Sequence, residues 1–296
     1  MGAKEVYFKT IKFVWLKLAL GGALVLFSLI TFAITMAIAV WTNLAFLLYF
    51  WIIFDLVVCI WVSRYMGYML KAGHVAVVST AVATGQVPEK VFETGKDLVT
   101  RRFGTSNVYF VVDGLVSGAV SQLQKGLQTV DRIFGNIPGI SAVVSFLQLF
   151  VKIALGYVDE CCLGYTFIHP EQSAFKSAAD GVVIYFQNWK KLLKNAALTA
   201  VIVIGLSFAA FLVPFLVLVP IFKAIEAPTF IAFLLALLIA WVLKSAFVDS
   251  FMMVKMMVSY MEVAPATEIT FDLYGKLCKL SAKFKELFNK GQTQAA

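Results

Sequence analysis

The residues of this chain best equipped for chemistry are carboxylates set in or beside long apolar runs: Asp55, Asp113, the adjacent Asp159 and Glu160, and Asp249. An ionised carboxylate in hydrocarbon is costly unless it is hydrated, paired or protonated, so each such acid marks either a site or an internal ion pair. Lys152, Lys244 and Lys255 are the internal partners within reach along the sequence. Aromatic residues make up 15% of the chain, and Trp51, Tyr165 and Trp241 accompany these acids. An aromatic face beside a carboxylate is the chemistry that binds an ammonium ion. The expected substrate-binding set is therefore Asp55, Asp113, Glu160 and Asp249 for charge, with Trp51, Tyr165 and Trp241 for ring contacts.

Other chemistries find little footing. No phosphate-binding loop, nucleophile elbow, His-Glu-x-x-His helix or dinucleotide fingerprint occurs in the sequence. His74 and His169 stand far apart, and Cys59, Cys161, Cys162 and Cys278 show no Cys-x-x-Cys spacing, so neither a metal site nor a disulfide is expected. No cofactor and no enzymatic activity are anticipated. The formal net charge is +8, yet the basic residues cluster beside apolar runs, which points to anionic lipid head groups rather than nucleic acid.

The elements that must position these residues are membrane helices. Hydrophobic residues account for 61% of the chain, and the mean hydropathy is +0.87, which implies a bilayer as solvent. The expected fold class is all-α: a single polytopic transmembrane domain over residues 1–296, with about six membrane helices and amphipathic helices on the cytoplasmic face. Its parts are a hairpin at 11–70, a surface helix at 87–103, central helices at 105–168, an amphipathic helix at 170–195, a second hairpin at 196–262 and a C-terminal amphipathic helix at 266–290. The first apolar run is too long for a signal peptide and reads as a retained span. Gly114 and Gly118 have the Gly-x-x-x-Gly spacing that lets another helix approach. Lysines flank the outer ends of both hairpins, which places both termini in the cytoplasm, with the plasma membrane as the expected location.

One region is more specific. Tyr157 to Phe167 leads into Ser177-Ala-Ala-Asp180 and on to Asn188, followed by a fresh apolar span, and Ala246-Phe-Val-Asp249-Ser-Phe lies on the last long helix. In order and spacing these pieces resemble the choline transporter-like family, with Ser177, Ala178, Asp180 and Asn188 at matching positions. Asp159 and Glu160 stand where that family has Ile and Asn. The resemblance covers roughly residues 100–262. It implies a helical architecture, cytoplasmic termini and transport of a cationic or zwitterionic amine.

The leading expectation is thus alternating-access transport of a small, choline-like amine. A non-transporting scaffold or lipid-organising protein is the rival, with its amphipathic helices adsorbed on the cytoplasmic leaflet. An oligomeric channel, hence a homo-oligomer, is the third reading.

Overall fold

The computed structural model describes residues 1–44, 46–104, 106–134, 156–224 and 229–293. Among them it contains twelve α-helices and no strands, an all-α architecture. In chain order the helices are α1 (Ala3–Lys9), α2 (Ile11–Thr42), α3 (Leu47–Thr84), α4 (Val91–Phe103), α5 (Ser106–Phe134), α6 (Val158–Ile168), α7 (Ala174–Gln187), α8 (Trp189–Ala224), α9 (Thr229–Leu243), α10 (Asp249–Val263), α11 (Phe271–Leu280) and α12 (Ala282–Thr293). A π-helical turn, Lys244–Val248, joins α9 to α10. The chain divides into two compact units, one of Met1–Thr10, Gly73–Ile204 and Phe251–Ala296, the other of Ile11–Ala72 and Gly205–Ser250.

The second unit carries the apolar hairpins. Helix α2 has 32 residues, which at about 1.5 Å per residue exceeds the roughly 30 Å hydrocarbon core. It stops where Asn43 takes a left-handed conformation (φ 54°), which asparagine tolerates better than most residues. The Leu44 N–H then donates to the Ala39 carbonyl (3.1 Å) and the Asn43 N–H to that of Val40 (3.4 Å), satisfying two carbonyls of the last turn. The second hairpin, α8 and α9, is held by phenylalanines: Phe233 meets Phe211 and Phe215 edge-on, at 5.7 and 6.2 Å between ring centres. Pro214 and Pro220 lie inside α8, where each lacks the N–H that would bond four residues back. Large apolar side chains such as Tyr49, Ile53, Trp61, Phe208 and Leu216 are exposed, the surface a hydrocarbon solvent accepts and water does not.

Four helical stretches are long and apolar enough to cross a membrane: Ile11–Thr42, Leu47–Thr84, Val201–Ala224 and Leu235–Ala266. These mark a membrane-associated protein. Among the described residues there are four such stretches rather than six. In the central region Val108–Leu123 is a shorter apolar helix, and the second crossing expected at 139–168 falls largely outside the described residues. The fully described part of that stretch, α6, has only 11 residues.

The first unit has a close-packed helical core. Helix α7 is buried along almost its whole length, from Ala174 to Tyr185 apart from Lys176, rather than lying on an interface with one face exposed. Small residues explain the difference. Ser177, Ala178, Ala179 and Gly181 let neighbours close in, and a Cβ placed on Gly181 would lie 3.0 Å from the Cys162 Cα of α6. On another side a Cβ on Gly291 of α12 would lie 2.9 Å from the Lys176 Cα. Ser173 starts α7 by accepting from the Lys176 backbone N–H at 3.2 Å. The C-terminal amphipathic region is two helices, α11 and α12, whose apolar Tyr274, Leu277, Phe284 and Leu287 are buried within this unit. Both helices pack on α5 and α7. Of the Gly-x-x-x-Gly pair of α5, Gly118 faces α12, where an added Cβ would lie 3.1 Å from the Lys283 side chain, whereas a Cβ on Gly114 meets nothing within 4 Å among the described residues.

Candidate functional site

The α2–α3 hairpin is apolar enough that its few polar groups must find one another. Ser28 and Thr31, three residues apart on α2, share a face with the spacing of one helical turn. Trp51 and Asp55, four apart on α3, do the same. The Ser28 hydroxyl donates to Asp55 Oδ2 at 3.0 Å. Trp51 Nε1 donates to Thr31 Oγ1 at 3.0 Å, and the Thr31 hydroxyl donates in turn to the Phe27 carbonyl at 2.9 Å. The Cys59 thiol approaches the same Asp55 oxygen at 3.8 Å. Phe32 packs on the Trp51 ring, 4.9 Å between centres. The result is a polar strip with aromatic flanks, in which Asp55 is half-buried and its second oxygen, Oδ1, has no hydrogen-bond donor among the described residues.

The other expected site residues have different surroundings. Asp249 is engaged by Lys244 Nζ at 2.6 Å, and Trp241 is 52% exposed. Asp113 on α5 and Glu160 at the start of α6 are both buried, and Tyr165 is buried further along α6. The Tyr165 ring stacks on His169 at 4.1 Å between centres and meets Tyr260 edge-on at 6.4 Å. Of the expected set, Trp51 and Asp55 are brought onto one polar strip.

A second cluster, absent from the expected binding set, surrounds Asp180. This buried carboxylate accepts from Lys176 Nζ at 3.1 Å and from the Tyr274 hydroxyl of α11. Burial pushes the Asp180 carboxyl above its ordinary range, against the lowering effect of Lys176. Burial, and then the nearby Asp180 charge, pushes the Tyr165 phenol up to about 12. The Tyr260 hydroxyl donates to the Gly181 carbonyl at 3.1 Å, and Ser177 accepts from Arg102 Nη2 at 3.0 Å. Asn188 caps α7, its amide donating to Ile184 O and Thr267 Oγ1 at 3.0 and 2.8 Å. Ser177, Asp180 and Asn188 therefore all serve as fasteners between helices. No group of histidine, cysteine, aspartate and glutamate able to hold a metal ion occurs among the described residues.

Ser28 and Thr31 are the hydrogen-bond partners of Asp55 and Trp51 that the sequence reading passed over, although two hydroxyls one turn apart in an apolar span were the visible signal. Comparison with family models, with curated proteins and with solved structures finds no match to this chain.

Proposed function

We propose that the protein moves a small cationic or zwitterionic amine across the membrane, with Asp55 as the carboxylate that meets the cation within the α2–α3 hairpin. The observation that carries this reading is the arrangement of Asp55 itself. It lies within an apolar span, one oxygen is held by Ser28, the other lacks a donor among the described residues, and the Trp51 ring lies one turn away. A mid-span carboxylate is expensive to keep, and a cation that visits it offsets that expense. Pro214 and Pro220 in α8 and the π-helical turn before α10 interrupt the regular hydrogen-bond ladder, the local feature at which long helices can bend in alternating access. The resemblance to the choline transporter-like family supports an amine as the solute, and the flanking lysines support cytoplasmic termini.

The scaffold reading has less to draw on. It needs the apolar stripe of the C-terminal helices on the lipid surface, whereas Leu277, Phe284 and Leu287 are buried within the protein.

Equilibrium binding of labelled choline to the purified protein tests the proposal. Asp55→Asn is expected to abolish saturable binding and Ser28→Ala to weaken it. Undiminished binding by Asp55→Asn removes Asp55 from the solute's path.

A further inference from the structure

The two polar rungs of the α2–α3 hairpin run in opposite directions. In one, α2 supplies the donor: the Ser28 hydroxyl meets Asp55 Oδ2 at 3.0 Å. In the other, α3 supplies it: Trp51 Nε1 meets Thr31 Oγ1 at 3.0 Å. Thr31 acts there as an acceptor, because its single hydroxyl proton is committed to the preceding turn of its own helix. That proton is shared between the Phe27 carbonyl at 2.9 Å and the Ser28 carbonyl at 3.2 Å. The back-bond fixes the threonine side chain and leaves a lone pair for the indole across the hairpin.

An indole N–H is a donor with no lone pair of its own, and within an apolar span it takes an acceptor that lies in reach. Asp55 is such an acceptor. It stands four residues after Trp51 on α3, on the same face one turn along, and its Oδ1 is enclosed without a donor among the described residues. Released from Thr31, the indole would find the carboxylate the stronger partner, since a hydrogen bond to a charged group exceeds one to a hydroxyl. The Trp51 N–H would then occupy the oxygen that the proposed amine is to meet. Phe32 supports the present setting of the ring, packing on it at 4.9 Å between centres with the planes tilted by 56°.

We infer that Thr31 is the positioning residue of the amine site: by holding the indole N–H, it reserves Asp55 Oδ1 for an incoming cation. The inference rests on the reading of Asp55 as the carboxylate that meets the solute. The hydrogen-bond arrangement itself is open to a test that uses no amine.

The experiment is labelling of the full-length protein with dicyclohexylcarbodiimide, an apolar reagent that adds covalently to carboxyl groups, with the extent at Asp55 read by peptide mass spectrometry. Wild type is expected to label there. Thr31→Val, similar in shape but without the hydroxyl, is expected to label about tenfold less, the worth of one hydrogen bond to a charged acceptor. Trp51→Phe keeps a ring and removes the N–H, so the double variant Thr31→Val/Trp51→Phe is expected to regain labelling. Thr31→Ser keeps the acceptor and is expected to rescue it as well. A purely structural role for Thr31 implies that the second substitution adds to the damage, so a double variant no better than Thr31→Val overturns the inference. Equal labelling of wild type and Thr31→Val, as when the indole turns to the Thr35 hydroxyl instead, also overturns it, as does a wild type unlabelled at Asp55. Choline binding by Thr31→Val is expected to fall with the labelling. The expected labelling pattern in a wild type that binds no choline supports the hold of Thr31 on the indole and overturns the amine reading alone.

Discussion

Replacing Gly181 by alanine tests the packing of the first unit more sharply than any other single change. The added Cβ would lie 3.0 Å from the Cys162 Cα and 3.2 Å from its carbonyl oxygen, both backbone atoms that cannot swing aside. Ordinary carbon contacts are about 3.5 to 4.0 Å, so α6 and α7 must separate by about half an ångström or more. Overpacking of this kind costs about 1 to 3 kcal/mol, and alanine's better helix propensity returns about 1 kcal/mol, leaving Gly181→Ala less stable by up to about 2 kcal/mol. Gly114→Ala is the matched control. It also lies within a helix, but its added Cβ meets nothing within 4 Å among the described residues, so propensity acts alone and stability rises by about 0.5 to 1 kcal/mol. The assay is apparent thermal unfolding in detergent at one fixed scan rate, read by intrinsic fluorescence. The expected order of midpoints is Gly114→Ala, wild type, Gly181→Ala, each step a few degrees. If Gly181→Ala matches Gly114→Ala, α6 and α7 do not approach as described.

Other expectations follow from the titrating and reactive groups. Burial raises the Asp180 carboxyl above 3.8, so the folded state binds its proton more tightly than the unfolded state. Stability from this group is complete below the unfolded value and is lost as pH rises through the folded one. In a pH series of unfolding midpoints, Asp180→Asn should therefore lose less stability than wild type between acidic and neutral pH, and parallel curves would contradict this. Cys161 and Cys162 are buried with their thiols pushed well up by burial, whereas Cys278 is half-buried. Maleimide should therefore label Cys278 in the folded protein and reach the adjacent pair only on unfolding, as peptide mapping will show. Asp249 is paired with Lys244, so Asp249→Asn is expected to leave amine binding within about twofold of wild type in the choline assay.

The hairpins were legible because α2, α3 and α8 are continuous apolar runs, and a run of that length has one stable setting in a bilayer. The break at Asn43 was equally visible as a polar interruption. The partners were not legible. The stripe of Leu277, Phe284 and Leu287 showed that one face of the C-terminal helices is covered, but a membrane surface and a protein surface ask for the same stripe. Helix α7 posed the same difficulty, since its pattern read as amphipathic with one covered face, whereas its short residues serve for close approach on several sides. Asp55 was identified by its setting alone, whereas Ser28, 27 residues away in sequence, is brought to it only by the hairpin's register. Asp180 lies outside the expected binding set, and its bond to Tyr274 spans 94 residues that no local pattern connects.

The most direct test of the central proposal is uptake of labelled choline into proteoliposomes holding the full-length protein, with Asp55→Asn and Asp55→Glu alongside. The account predicts saturable uptake by wild type, loss in Asp55→Asn and partial retention in Asp55→Glu, where the charge is kept but displaced. Wild-type uptake no greater than that of empty liposomes, or equal uptake by wild type and Asp55→Asn, would contradict it.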